Sequence, residues 1–162
     1  MCLGCIIIFL CAGKLLAAGS IMSALPLKIN YLRDLTLFQI NFTYLVQVSS
    51  ILCLLHSSSR VHSLEIRMNV PTVTADYNLV LQYLQERRCS SEEINSLRAL
   101  KIIFFHGSRA EMLFVKLILS CCPALERVSF VDKKVVEASE VFNILKELVV
   151  FPRASRKSKI IF

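Results

Sequence analysis

Leu32-x-x-Leu35-x-Leu37-x-x-Ile40-x-Phe42 is the stretch that decides the fold. Its apolar positions alternate with polar ones over Leu35 to Leu37, the period of a strand with one face buried. The first half returns as Val61-x-x-Leu64-x-Ile66, then Leu97-x-x-Leu100-x-Ile102, then Leu125-x-x-Val128-x-Phe130. Starts at positions 32, 61, 97 and 125 lie 28 to 36 residues apart. One match means little in a leucine-rich chain. Four in order, with helical patterns between most neighbours, indicate internal repetition.

Between the copies the period changes from two to about 3.6. Leu45, Val48, Leu52 and Leu55 predict a helix that ends at Ser57-Ser58-Ser59. A fainter helix spans Tyr77 to Arg88, with Val80, Tyr83 and Leu84 inward, and Ser90-x-x-Glu93 caps a short turn after it. Leu113, Leu117, Ile118 and Cys121 share one helical face, with Glu111, Lys116 and Ser120 elsewhere. That helix has a start signal in Ser108-x-x-Glu111, whose side chains can each bond a free backbone N–H of the first turn. Gly107 supplies the turn before it, and Pro123 stops it. Val141, Phe142, Leu145, Leu148 and Val149 form a last stripe, with Asn143, Lys146 and Glu147 outside and Pro152 at its end.

The spacing is that of leucine-rich repeats, and it predicts an α/β fold: an open solenoid of parallel strands on one side and helices on the other. Each unit buries its apolar face only against its neighbours. Residues between the inward leucines point to the face that the helices leave open, expected to be concave. These are Asp34, Thr36 and Phe38; Ser63, Glu65 and Arg67; Ala99, Lys101 and Ile103; and Arg127, Ser129 and Val131. The mixture suits recognition of a protein better than catalysis. The candidate partner-binding residues are Asp34, Thr36, Glu65, Arg67, Lys101, Arg127 and Ser129.

Composition narrows the classes. The 162 residues are 55% hydrophobic and only 19% charged, which excludes a disordered chain. The net charge of +7 is thinly spread, so no nucleic-acid partner is expected. Met1 to Gly13 is almost wholly apolar, but Lys14 interrupts the run before it resumes to Leu27. A membrane span needs about 20 unbroken apolar residues, so none is expected. A signal peptide cleaved after Ala17-Ala18-Gly19 is the competing reading, though the run lacks a basic start. The favoured reading is a buried strand over Cys5 to Leu10. The basic run of Arg153, Arg156, Lys157 and Lys159 reads as a solvated loop before a final edge strand.

Seven cysteines are present. Cys2-x-x-Cys5 has metal-ligand spacing without a second pair, so most read as small buried hydrophobes in a reducing compartment. Asn41-Phe42-Thr43 is a formal glycosylation sequon that would matter only in a secreted chain. His106-Gly107-Ser108 lacks the Gly-x-Ser-x-Gly of a hydrolase elbow and fits a strand-to-helix turn. His56, His62 and His106 lack metal spacing, and no phosphate-binding glycine loop occurs. No enzyme activity, catalytic residue, metal or cofactor is expected.

The C-terminal stretches resemble a known family. These are Leu97 to Ile102, Gly107 to Met112, Phe114 to Ser120, Pro123 to Glu126 and Ile144 to Leu148. Phe151-Pro152-Arg153-Ala154-Ser155 and Lys159-Ile160-Ile161-Phe162 follow, and are the most specific. Together they resemble the FBD domain of plant F-box/FBD/leucine-rich-repeat proteins. Leu16 to Gly19, Leu25-Pro26, the Leu32 repeat and Ile51 to Ser58 look like the last repeats of the same family. The resemblance implies partial, irregular repeats over 1–95 and an FBD-type cap over 96–162. It implies the partner-binding half of a ubiquitin-ligase adaptor, cytoplasmic or nuclear, with an unknown protein partner. The roughly 45-residue F-box that docks a Skp1-type adaptor is absent, so Skp1 binding is not expected. A truncated gene product without independent activity is the alternative, and a secreted repeat protein is another.

Overall fold

The computed structural model describes residues 31–72, 74–88, 94–135 and 137–162, with the backbone of 5–9. The signal-or-strand question over Met1 to Leu27, the repeats before Leu32, the Cys2-x-x-Cys5 pair and the Ser90-x-x-Glu93 cap fall wholly or largely outside these residues. The strands are β1 (Cys5–Phe9), β2 (Asp34–Ile40), β3 (Ser63–Met68), β4 (Ala99–Ile103), β5 (Arg127–Val131) and β6 (Lys159–Ile161). Five parallel pairings join them in chain order into one open sheet. The helices are α1 (Leu45–Ser57), α2 (Tyr77–Glu86), α3 (Arg109–Cys121) and α4 (Ala138–Val150). β3 and β4, on either side of residue 96, pair directly.

The register turns the repeated leucines into layers. Leu35, Leu64, Leu100 and Val128 stand side by side, and so do Leu37, Ile66, Ile102 and Phe130. All are buried, as are Leu32, Val61, Leu97 and Leu125 just before the strands. The backbone repeats too. Arg33 O accepts from the N–H groups of His62 and Ser63, His62 O from Arg98 and Ala99, and Arg98 O from Glu126 and Arg127. At the other end, Gln39, Phe104 and Asp132 take φ of 57°, 63° and 48°. Each stands two residues past one layer: Leu37, Ile102 and Phe130. A left-handed conformation is uncommon outside glycine. Its recurrence at one register position marks β2, β4 and β5 as copies of one strand-and-turn unit. β3 lacks it.

α3 is the central helix. Ser108 Oγ accepts from Glu111 N–H at 3.3 Å, the predicted N-cap. The helix is buried nearly all round, including Glu111, which the predicted stripe places outside. Ala110, Phe114 and Ile118, four residues apart, have no exposed surface, and the Phe114 ring meets Phe42 edge-on at 4.8 Å. α4 departs further from expectation. Only Ile144 and Leu148 are buried, whereas Phe142, Leu145 and Val149 are exposed. α4 and β6 line one groove at the end of the strand order, where no described unit follows to bury the rest of the helix's apolar surface.

Gly107 joins β4 to α3 with φ of 76°. A Cβ there would overlap Ile144 Cδ1 and lie 3.3 Å from Val135 Cγ2. Gly107→Ala should therefore cost about 2 kcal/mol, from the left-handed backbone and the crowding together. Urea denaturation should show a lower midpoint with unchanged slope.

Two cysteines match the expectation of buried thiols. Cys53 and Cys122 are free and buried, and burial pushes the Cys122 thiol up to about 12. Cys121 does not match, because it is disulfide-bonded.

Candidate functional site

The candidate residues all sit on β2 to β5, at positions that alternate with the buried layers. The register assembles them in rows across the open face. Asp34, Ser63, Ala99, Arg127 and Lys159 form the first row, and Thr36, Glu65, Lys101, Ser129 and Ile161 the second. Arg67, Ile103 and Val131 lie in a third, where Ile103 is buried against expectation, with 6% of its surface exposed. Phe38 joins that end of the face through its stacking with Arg67.

Glu65 is the centre of the face. Its carboxylate accepts from Arg67 Nε at 2.9 Å and from Lys101 Nζ at 3.1 Å. Partial burial works to raise the Glu65 pKa, but hydrogen bonds from Arg67 and Lys101 and their charges outweigh it and hold the carboxyl below its ordinary value. The Arg67 guanidinium also lies over the Phe38 ring, 5.0 Å from its centroid. An aromatic ring, two cations and one carboxylate thus form a connected patch across three adjacent strands. The carboxylate fixes both cations while leaving the patch with an excess positive charge. Thr36 and Ser129 flank Glu65 and Lys101 in the same row. Asp34 and Arg127 belong to the first row and stand three strands apart, about 14 Å by ordinary strand spacing. The structure therefore sets Thr36, Glu65, Lys101 and Ser129 in one row with Arg67 bonded to Glu65, and places Asp34 and Arg127 in the first row beside it. The narrower list of binding residues drawn from the sequence omits Phe38, although alternation along β2 marks its side.

The rejected constellations have structural roles. Ser108 caps α3, and Glu111 Oε2 accepts from the backbone N–H groups of His106 and Gly107 at 2.9 and 3.0 Å. Burial is the main influence on both ionisable groups: it raises the Glu111 pKa despite those hydrogen bonds and lowers that of His106, with Lys134 adding to the latter. In the sequon, Asn41 is buried, its Nδ2 donates to Thr72 Oγ1, and its Oδ1 accepts from Thr43 N–H and Oγ1. That asparagine shapes the turn between β2 and α1. Among the described residues no group of three His, Cys, Asp or Glu side chains could hold a metal ion. No helix among them is long and apolar enough to cross a membrane.

An F-box/FBD/LRR-repeat protein of Arabidopsis thaliana is 26% identical to this chain over 153 residues, 92% of its length. That similarity supports a distant family relationship. The chain spans about a third of the length of that relative (35%). No protein-family profile matches it, and no solved structure does.

Proposed function

We propose that the chain is a non-covalent protein-interaction module whose open sheet face receives a protein partner. The Phe38–Arg67–Glu65–Lys101 patch carries this reading. It offers a phenylalanine ring and an ordered arginine, residue types enriched at protein interfaces relative to the rest of the surface. The distant similarity supports a finer version, in which the module resembles the substrate-recognition half of a ubiquitin-ligase adaptor, with an FBD-type end, in the cytoplasm or nucleus. No catalytic role is assigned to any residue.

The test is affinity capture from plant extract with the purified chain as bait. The parent should retain a specific partner, and Lys101→Glu combined with Arg127→Glu should reduce its recovery at least about tenfold, since like-charge contacts at an interface cost several kcal/mol. These side chains are partly exposed, so the double variant should keep the parent's circular dichroism spectrum. A folded double variant that captures the partner undiminished would remove the open face from the binding site.

A further inference from the structure

The end of the stack carries a second surface, distinct from the patch on Glu65. A groove of about 660 Å³ runs between α4 and β6, with Leu145 and Val149 from the helix, Ile160 and Ile161 from the strand, and the cations Arg153 and Lys159. Val149 is 71% exposed and Ile161 51%, and Phe142 nearby on α4 is 67% exposed. A helix packed on a sheet ordinarily hides apolar residues such as Phe142 and Val149. β6 is one of the two edge strands among the described residues, so its outer backbone groups offer a template for another strand.

We propose that this groove receives an extended segment of a partner protein in which acidic and apolar residues alternate, added to the sheet beside β6. Alternation along β6 sets the pattern. Ile160 pairs with the buried Val128 and so faces the helix layer, while Lys159 and Ile161 face the open side. A strand laid beside β6 places an apolar residue against Ile160, Leu145 and Val149. Its next residue stands beside Lys159, where an opposite charge is favoured. The surrounding charge selects the partner. Arg153, Arg156, Lys157 and Lys159 carry four positive charges with no acid among them. On α4, Glu147 is engaged by Arg109, which leaves Glu140 at the far end of the helix. A second copy pairing edge to edge would bring two such basic clusters together, which complementarity disfavours. An acidic strand answers both the charge and the open edge, by the known mode of strand addition.

Fluorescence anisotropy with the full chain and short labelled peptides tests this. A peptide alternating glutamate and valine should bind saturably, and one alternating lysine and valine at least about tenfold more weakly. Lys159→Glu should narrow that preference, because Arg153, Arg156 and Lys157 keep the cluster positive. Val149→Asp, at an exposed position, should weaken the acidic peptide about tenfold. The proposal is overturned if the folded parent saturates with neither peptide, or if Lys159→Glu and Val149→Asp bind like the parent. Sedimentation showing a parent dimer that Val149→Asp converts to monomer would assign the groove to a second copy and overturn it equally.

Discussion

Ile118→Asp should leave the chain largely unfolded in buffer. Ile118 has no exposed surface and lies on the side of α3 that also carries Ala110 and Phe114. A carboxylate placed there loses its hydration without gaining a partner. That costs about 5 kcal/mol or more, comparable with the whole stability of many domains. Leu117→Asp should be milder, although the two positions are adjacent. Leu117 is 8% exposed and borders a small cleft between α2 and α3 that also holds Arg87 and Lys116. An aspartate there can reach water and two cations. Far-ultraviolet circular dichroism and urea titration of both variants should give this order. Equal midpoints would mean that α3 does not present Ile118 to the core.

Glu111→Ala carries the second-largest expected effect. The carboxylate serves the N–H groups of His106 and Gly107, and its own N–H is served by Ser108. Alanine leaves two partly buried donors without their acceptor, at about 1–3 kcal/mol each, so the loss should be about 4 kcal/mol. Glu111→Gln keeps an amide oxygen and should recover part of it. The pH dependence separates charge from hydrogen bonding. Burial holds the Glu111 pKa above its ordinary value of 4.5. Its contribution is therefore complete below about 4.5 and declines as pH rises through the higher folded value. Relative to Glu111→Gln, the parent should lose stability across that window. Glu65 works in the opposite sense, because its folded pKa lies below 4.5 and its contribution is lost as pH falls through that lower value. The Gln comparison cancels Glu65, which is present in both proteins.

Particular residues show how far the sequence could be read. The strand layers were legible because strict alternation leaves one assignment for Leu35, Leu37, Leu64 and Ile66. The start of α3 was legible because Ser108 and Glu111 have the spacing that local hydrogen bonding demands. The inward face of α4 was not. Phe142 and Val149 are apolar, yet burial depends on a covering neighbour, and an end helix has none among the described residues. Helical spacing sets Glu111 off the apolar stripe, and the backbone donors that make its burial tolerable appear only in three dimensions. The Glu65–Lys101 pair spans 36 positions, and only the register between β3 and β4 brings it together. Alternation identifies the sides of strands but not their alignment.

The chain-order pairing of the strands bears on how the molecule forms. Every strand finds its partner in the preceding strand, so each closure spans a single unit and none waits for a distant segment. Parallel sheets with crossed-over strand orders are slow to fold because long loops must close before contacts reward them. Here a chain leaving the ribosome can add β3 to β2, then β4 to β3, as each emerges, with every completed unit acting as the template for the next. Synthesis and folding can then advance together, and the last strand, β6, is the final element to lock, held by the rings of Phe105 and Phe130 against Phe162.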